Sequence, residues 1–172
     1  LFRSNLLSIF LFSSLLQGAF IVLDEFIFHR KRGLPRWELI GHPIDTATVL
    51  ACLAFLIFMD RTRVNEIIYS GMAIISCLCV TKDEWVHWKF CPPGELWMHA
   101  VLFILHPIVL FSAMSMWEIN TPIIAAVASA ISVFFVYQVV YWNFLEARLR
   151  KSRQQAHYQK VTTEELYEYF GE

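Results

Sequence analysis

The sequence predicts an all-α integral membrane protein with five transmembrane helices. Two observations carry this. The 172-residue chain is 57% hydrophobic, with a mean hydropathy of +0.50, where an ordinary soluble domain is roughly 45–50% apolar. The excess is gathered into five runs: Asn5–Leu23, Ile44–Met59, Val64–Val80, Leu96–Met116 and Pro122–Leu145. About 20 apolar residues cross a bilayer as a helix, and the second run needs its flanks to reach that length.

The first run begins after Arg3 and continues through Gly18 and Ala19 into Leu23, where a polar cluster follows directly. Its unbroken apolar character reads as a spanning helix rather than a cleaved leader. It ends at Phe26-Ile27-Phe28-His29, and the basic stretch to Pro35 stops it. Gly41-His42-Pro43 predicts a break before the second span, because proline drives the preceding residue out of the helical region. Glu38 and His42 are then expected on a short interfacial helix, with Asp45 on the span. The third span starts after the short loop Asp60-Arg61-Thr62-Arg63 and runs into Asp83-Glu84-Trp85-Val86-His87. A tight turn, Phe90 to Gly94 with two prolines, leads into Glu95 and the fourth span. Thr121-Pro122 supplies a cap and first-turn proline for the fifth. Trp37, Trp85, Trp88, Trp97 and Trp142 are expected at one membrane boundary and Trp117 at the other, as aromatic belts. Residues 1–146 form the membrane domain. Residues 147–172 form a basic tail in which Thr162-x-x-Glu165 reads as the start of a short amphipathic helix.

Orientation follows from the 14 Lys and Arg. Arg30, Lys31, Arg32, Arg36, Lys82, Lys89, Arg148, Arg150, Lys151, Arg153 and Lys160 fall on one side, and Arg3, Arg61 and Arg63 on the other. The positive-inside rule makes the first side cytoplasmic, with the N-terminus outside and the C-terminus inside. A formal net charge of −1 argues against nucleic acid as a partner, which would want a basic face. The four cysteines, Cys52, Cys77, Cys79 and Cys91, do not form a disulfide framework. Three lie within spans, as small apolar residues. Asp60, Glu66 and Glu118 read as solvated on the outer side, and His157 as solvated in the tail.

Five of the six histidines fall where the spans meet the cytoplasmic side, in company with carboxylates. The clusters are Asp24-Glu25-x3-His29, Glu38-x3-His42-x2-Asp45, Asp83-Glu84-x2-His87 and Glu95-x3-His99-x6-His106. Residues three or four apart share a helix face, so each cluster presents donors together. His106 lies on the face of Glu95 and His99, about 16 Å below Glu95 at 1.5 Å per residue. Alternating spans bring the end of helix one, the start of two, the end of three and the start of four to one depth. Ionisable groups at the edge of hydrocarbon are costly and mark function. The predicted architecture is therefore a four-helix bundle around a polar metal site at the cytoplasmic side, with the fifth helix as a wall or a surface for a partner subunit.

The expected metal ligands are Glu25, His29, His42, Asp45, Glu84, His87, Glu95, His99 and His106. Asp24, Glu38 and Asp83 are expected to orient imidazoles or relay protons. This inventory exceeds one four-coordinate ion and suits two divalent metals, iron favoured, with zinc or manganese as alternatives. In ligand type and helix number the chain resembles the carboxylate-bridged di-metal bundles, which draw Glu from two helices and Glu-x-x-His from two others. Glu84 to His87 is the one such pair here; the other pairs are spaced by three residues. The histidine boxes of membrane fatty-acid desaturases, His-x3-His and His-x2-His-His, do not occur. Mixed imidazole and carboxylate ligation suits non-haem iron, which activates O2 when positions on it stay open, and a site at hydrocarbon depth suits an apolar substrate. The leading expectation is therefore a membrane-embedded di-iron oxidoreductase acting on a hydrophobic or lipid-like substrate, with an electron donor or partner subunit on the fifth helix. A zinc-dependent membrane lipid hydrolase would use the same residues, with one carboxylate as general base. Transport or sensing of a divalent metal or of protons fits less well, because the outer halves of the spans lack a polar path.

Overall fold

The computed structural model describes residues 2–30, 34, 36–82, 84, 87–88, 91–119 and 121–149. Asp83, Trp85 and the tail with His157 and the Thr162-x-x-Glu165 pattern lie outside the described residues. Every described element is helical: α1 (Phe2–Leu23) passing into a π-helical turn (Asp24–His29), α2 (Arg36–Phe58), α3 (Arg63–Thr81), α4 (Pro93–Ser115) and α5 (Thr121–Val140), followed by a second π turn (Tyr141–Leu145). All five α-helices lie in stretches long and apolar enough to cross a membrane. Large apolar side chains such as Phe12, Leu15, Phe58, Phe111 and Val133 are exposed, which hydrocarbon solvates and water does not. These features mark a membrane protein.

The chain divides into two compact units, Leu1–Phe135 and Val136–Glu172. In the first, α1 packs on α4, α2 packs on α3, and α4 also touches α2 and α3. In keeping with that central place, 44% of the most apolar stretch of α4 is buried, against 11% for α1. The core is built from Phe10 of α1, Cys52, Leu53 and Leu56 of α2, Tyr69 of α3, Val109, Leu110 and Ala113 of α4, and Ile124 at the start of α5. In the second unit, Tyr137 and Tyr141 stack at 5.3 Å, and Tyr141 meets Trp142 edge-on at 5.0 Å.

Three local expectations are corrected. The chain does not break at Gly41-His42-Pro43: α2 is continuous, with Pro43 inside it. Pro43 has no N–H to give the Leu39 carbonyl, and membrane helices tolerate such an internal proline where neighbouring groups or local adjustment re-satisfy the freed backbone. Glu38, His42 and Asp45 therefore share one helix. Trp117 is not an interfacial anchor. It is 1% exposed, packs against Phe55 and Tyr69, and its indole N–H donates to the Met59 carbonyl at 2.8 Å. The last carbonyls of a helix lack partners within it, and Trp117 folds back over the end of α2 to supply one.

Glu66 and Glu118 are also more than solvated charge. The Glu66 carboxylate accepts from Arg61 at 2.9 Å and Arg63 at 3.3 Å. Glu118 Oε1 accepts the Arg61 backbone N–H at 2.6 Å, tying the α2–α3 and α4–α5 loops together. Glu118 holds a left-handed backbone, φ 64°, a conformation that costs a non-glycine residue free energy.

Candidate metal centre

Each of four segments contributes one carboxylate and one histidine. On α1 the π turn decides which carboxylate. In a regular α-helix, residues five apart stand about 140° apart around the axis, so Asp24 would face away from His29. In a π turn the hydrogen bond spans five residues, and the two line up. His29 Nε2 lies 3.2 Å from Asp24 Oδ2, while its Nδ1 faces Glu25 Oε2 at 3.5 Å. On α4, Pro92 takes an extended backbone (φ −68°, ψ 157°) and Pro93 opens the helix. Glu95 then sits in the first turn, where the helix dipole favours an anion, with His99 one turn further. Glu95 Oε1 is 3.7 Å from His29 Nε2, and His99 Nε2 is 3.2 Å from Asp24 Oδ2. Asp24 Oδ2 thus stands between two imidazole nitrogens.

On α2, Glu38 and His42 are one turn apart, and the His42 ring stacks on that of His29 at 4.9 Å. Past α3, His87 Nε2 lies 3.2 Å from Glu38 Oε1, and the His87 ring meets that of His99 at 4.3 Å. Donor atoms gather within 4.8 Å of one another in three overlapping groups: Asp24, His29, Glu95 and His99; His29, Glu38 and His42; Glu84, His87 and His99. Together they form one connected cluster.

The geometry suits a metal. Ligand atoms 2.0–2.2 Å from one ion stand roughly 3–3.6 Å apart, and the Asp24, His29, Glu95 and His99 contacts run from 3.2 to 3.7 Å. His29 Nε2, although 3.2 Å from a carboxylate oxygen, makes no hydrogen bond. Within the same cluster His99 Nε2 hydrogen-bonds Asp24 Oδ2 and His87 Nε2 hydrogen-bonds Glu38 Oε1, each at 3.2 Å. Asp24 Oδ1, His42 Nε2, Glu84 Oε2 and His99 Nδ1 are also buried without a hydrogen bond. Asp24, Glu25, Glu38 and Glu95 are each no more than 5% exposed. Burying a carboxylate costs several kcal/mol unless a cation stands beside it, so the cluster calls for imidazolium or metal charge.

The remaining expected residues are placed as follows. Glu25 touches His29 but lies outside the three groups, whereas Asp24 and Glu38, expected only to support ligands, lie within them. Asp45 turns to Lys82, whose Nζ is 2.7 and 2.8 Å from its two oxygens. Asp45 joins no group. His106 is likewise apart, with both ring nitrogens engaged: Nδ1 at 3.2 Å from Gln17 Nε2 and Nε2 at 2.9 Å from Ser76 Oγ. Ser76 in turn meets Thr48 Oγ1 at 2.8 Å. Gln17 donates, so Nδ1 accepts and Nε2 carries the proton toward Ser76. Sequence reasoning missed Gln17, Ser76 and Thr48; the one signal was a lone amide at Gln17 within an apolar run. Cys91 joins no group, but its backbone N–H donates to the His87 carbonyl at 2.8 Å and so holds the segment that carries His87. Comparison with protein-family models, curated proteins and solved structures found no match.

Proposed function

We propose that the cluster of Asp24, His29, Glu38, His42, Glu84, His87, Glu95 and His99 is a centre for two divalent metal ions, iron favoured, in a membrane-embedded oxidoreductase acting on a hydrophobic or lipid-like substrate. The observation that carries the reading is the convergence of four imidazoles and four carboxylates from four segments into mutual contact. Mixed imidazole and carboxylate donors suit non-haem iron, which activates O2 when positions on it stay open. Iron bound here would supply that redox chemistry. The chain's own part is to hold the donors and to admit an apolar molecule beside a buried polar site. Glu25, at His29 Nδ1, orients that ring and raises its basicity. Oxygenation of a substrate with O2 also consumes a pair of electrons, so a separate electron donor is part of the proposal. The basic asymmetry puts the centre at the cytoplasmic side.

A second reading draws on the first group, Asp24, His29, Glu95 and His99, three of whose donors would hold tetrahedral zinc with its fourth position open to water. Zinc there would activate water against a lipid ester or amide, with Glu84 as a nearby base. Elemental analysis of detergent-purified full-length protein separates the two. Iron at about two per chain supports oxidation. Zinc in its place supports hydrolysis, and absence of any metal after expression in metal-replete medium overturns both.

A further inference from the structure

Resting on the reading of the cluster as a metal centre, we infer that one of its ions is held by Glu84, His87 and His99, with both imidazoles binding through Nδ1, and that Asp24 and Glu38 are the positioning residues that hold those two rings from behind.

Tautomers decide which nitrogen faces the ion. An ionised carboxylate only accepts hydrogen bonds, and a neutral imidazole carries one N–H and one lone pair. His99 Nε2 is hydrogen-bonded to Asp24 Oδ2, and His87 Nε2 to Glu38 Oε1, each at 3.2 Å. Both rings therefore donate from Nε2, and their lone pairs lie on Nδ1. His29 is the reverse case. Its Nδ1 meets Glu25 Oε2 at 3.5 Å, so its lone pair lies on Nε2, which stands 3.2 Å from Asp24 Oδ2 without a hydrogen bond. His29 thus offers Nε2 to a metal, whereas His87 and His99 offer Nδ1.

The geometry of the trio agrees. Glu84, His87 and His99 bring one donor atom each within 4.8 Å of one another, and Glu84 Oε2 and His99 Nδ1 are buried without a hydrogen bond. The His87 and His99 ring centres lie 4.3 Å apart. Two imidazoles side by side on one ion, with nitrogens about 2.0–2.1 Å from it, place their ring centres roughly 4.5–5 Å apart, so the pair needs only a small adjustment to share an ion. His99 also falls in the group of Asp24, His29 and Glu95, where its contact with Asp24 is the Nε2 hydrogen bond. A metal-bound histidine donates its other N–H to a carboxylate or carbonyl, which fixes the tautomer and raises its basicity. Asp24 does this for His99 and Glu38 for His87, as Glu25 does for His29. Two histidines and one carboxylate are also the ligand set of non-haem iron sites that keep positions for an exogenous ligand.

The test is nitrogen NMR of the full-length protein in detergent, isotopically labelled on its histidine rings, with zinc as a diamagnetic probe ion. In metal-free protein His87 and His99 should carry the proton on Nε2 and His29 on Nδ1. Added zinc should then shift the Nδ1 resonances of His87 and His99. Glu38→Gln keeps the shape but removes the charge. It should weaken zinc binding at His87 about 10–100-fold and let the His87 ring populate both tautomers, a change that lost packing alone does not produce. His99→Asn places an amide oxygen near the Nδ1 position and should retain more zinc than His99→Gln, whose amide reaches toward Nε2. Circular dichroism and size-exclusion profiles identify variants that fold as wild type, and the tautomers, read on the wild type, keep the test decisive if a variant does not. Protons on Nδ1 of His87 and His99, zinc shifts at their Nε2, or better retention by His99→Gln overturn the assignment while leaving the metal centre standing. Failure of the wild type to bind either zinc or ferrous ion overturns the metal centre itself.

Discussion

Asp24→Asn should damage the proposed metal centre more than Glu25→Gln, although Glu25 is the residue at regular helical spacing from His29. Both changes are nearly isosteric, so packing is preserved and the lost quantity is the carboxylate. Asp24 Oδ2 stands 3.2 Å from two imidazole nitrogens, whereas Glu25 touches one ring from its far side at 3.5 Å. Loss of a partner that only orients a liganding histidine weakens metal binding about 10–100-fold, or ~1.4–2.7 kcal/mol. Loss of an anionic ligand shared by two imidazoles should exceed that range. At a free metal concentration near 100 times the wild-type Kd, Glu25→Gln then keeps about half to nine-tenths of the metal occupancy, and Asp24→Asn keeps less than about half. The same ligand concentration stabilises the wild type by ~2.7 kcal/mol, roughly 5–11 °C in Tm for a chain of this size. Asp24→Asn should lose most of that metal-dependent rise. Equilibrium dialysis against buffered ferrous or manganous ion, with thermal unfolding in detergent with and without chelator, reads both quantities. Greater loss in Glu25→Gln, or wild-type behaviour in both variants, would refute the π-turn assignment.

The remaining expectations concern the surrounding framework. His106→Leu should leave metal content unchanged, because both ring nitrogens are engaged by Gln17 and Ser76, and should cost ~1–3 kcal/mol as two interhelical hydrogen bonds are lost; elemental analysis beside thermal unfolding checks it, and a lost metal equivalent would place His106 among the ligands after all. Trp117→Ala should destabilise by ~3–5 kcal/mol, since Trp117 is 1% exposed and bonded to Met59, whereas Trp88→Ala at 76% exposure should stay within ~0.5 kcal/mol; equal losses in detergent unfolding would contradict the burial. Reporter fusions should put the C-terminus in the cytoplasm and the Asp60–Arg63 loop outside, as the basic asymmetry requires, and the opposite map would move the cluster to the outer face.

Much of this protein is written in its sequence. The five spans follow from apolar runs of bilayer length, because hydrocarbon demands helices whose backbone groups are satisfied internally. The convergence of the polar clusters follows from the alternation of those spans. The pairs Glu38 with His42 and Glu95 with His99 follow from helical spacing alone. Tertiary structure decided which donors belong together. Asp24 reaches His29 only because α1 leaves α-helical geometry for a π turn, and hydropathy does not record a change of hydrogen-bond span. Asp45 leaves the cluster for Lys82 because α2 and α3 pack side by side and bring those charges within 2.7 Å. His106 shares a helix face with Glu95 and His99, yet it lies roughly 10 Å deeper than His99 at 1.5 Å per residue, where Gln17 and Ser76 are its neighbours. Sequence spacing sets the face a residue shares on its own helix, but the partner across the interface is set by which helices are adjacent and at what depth they meet.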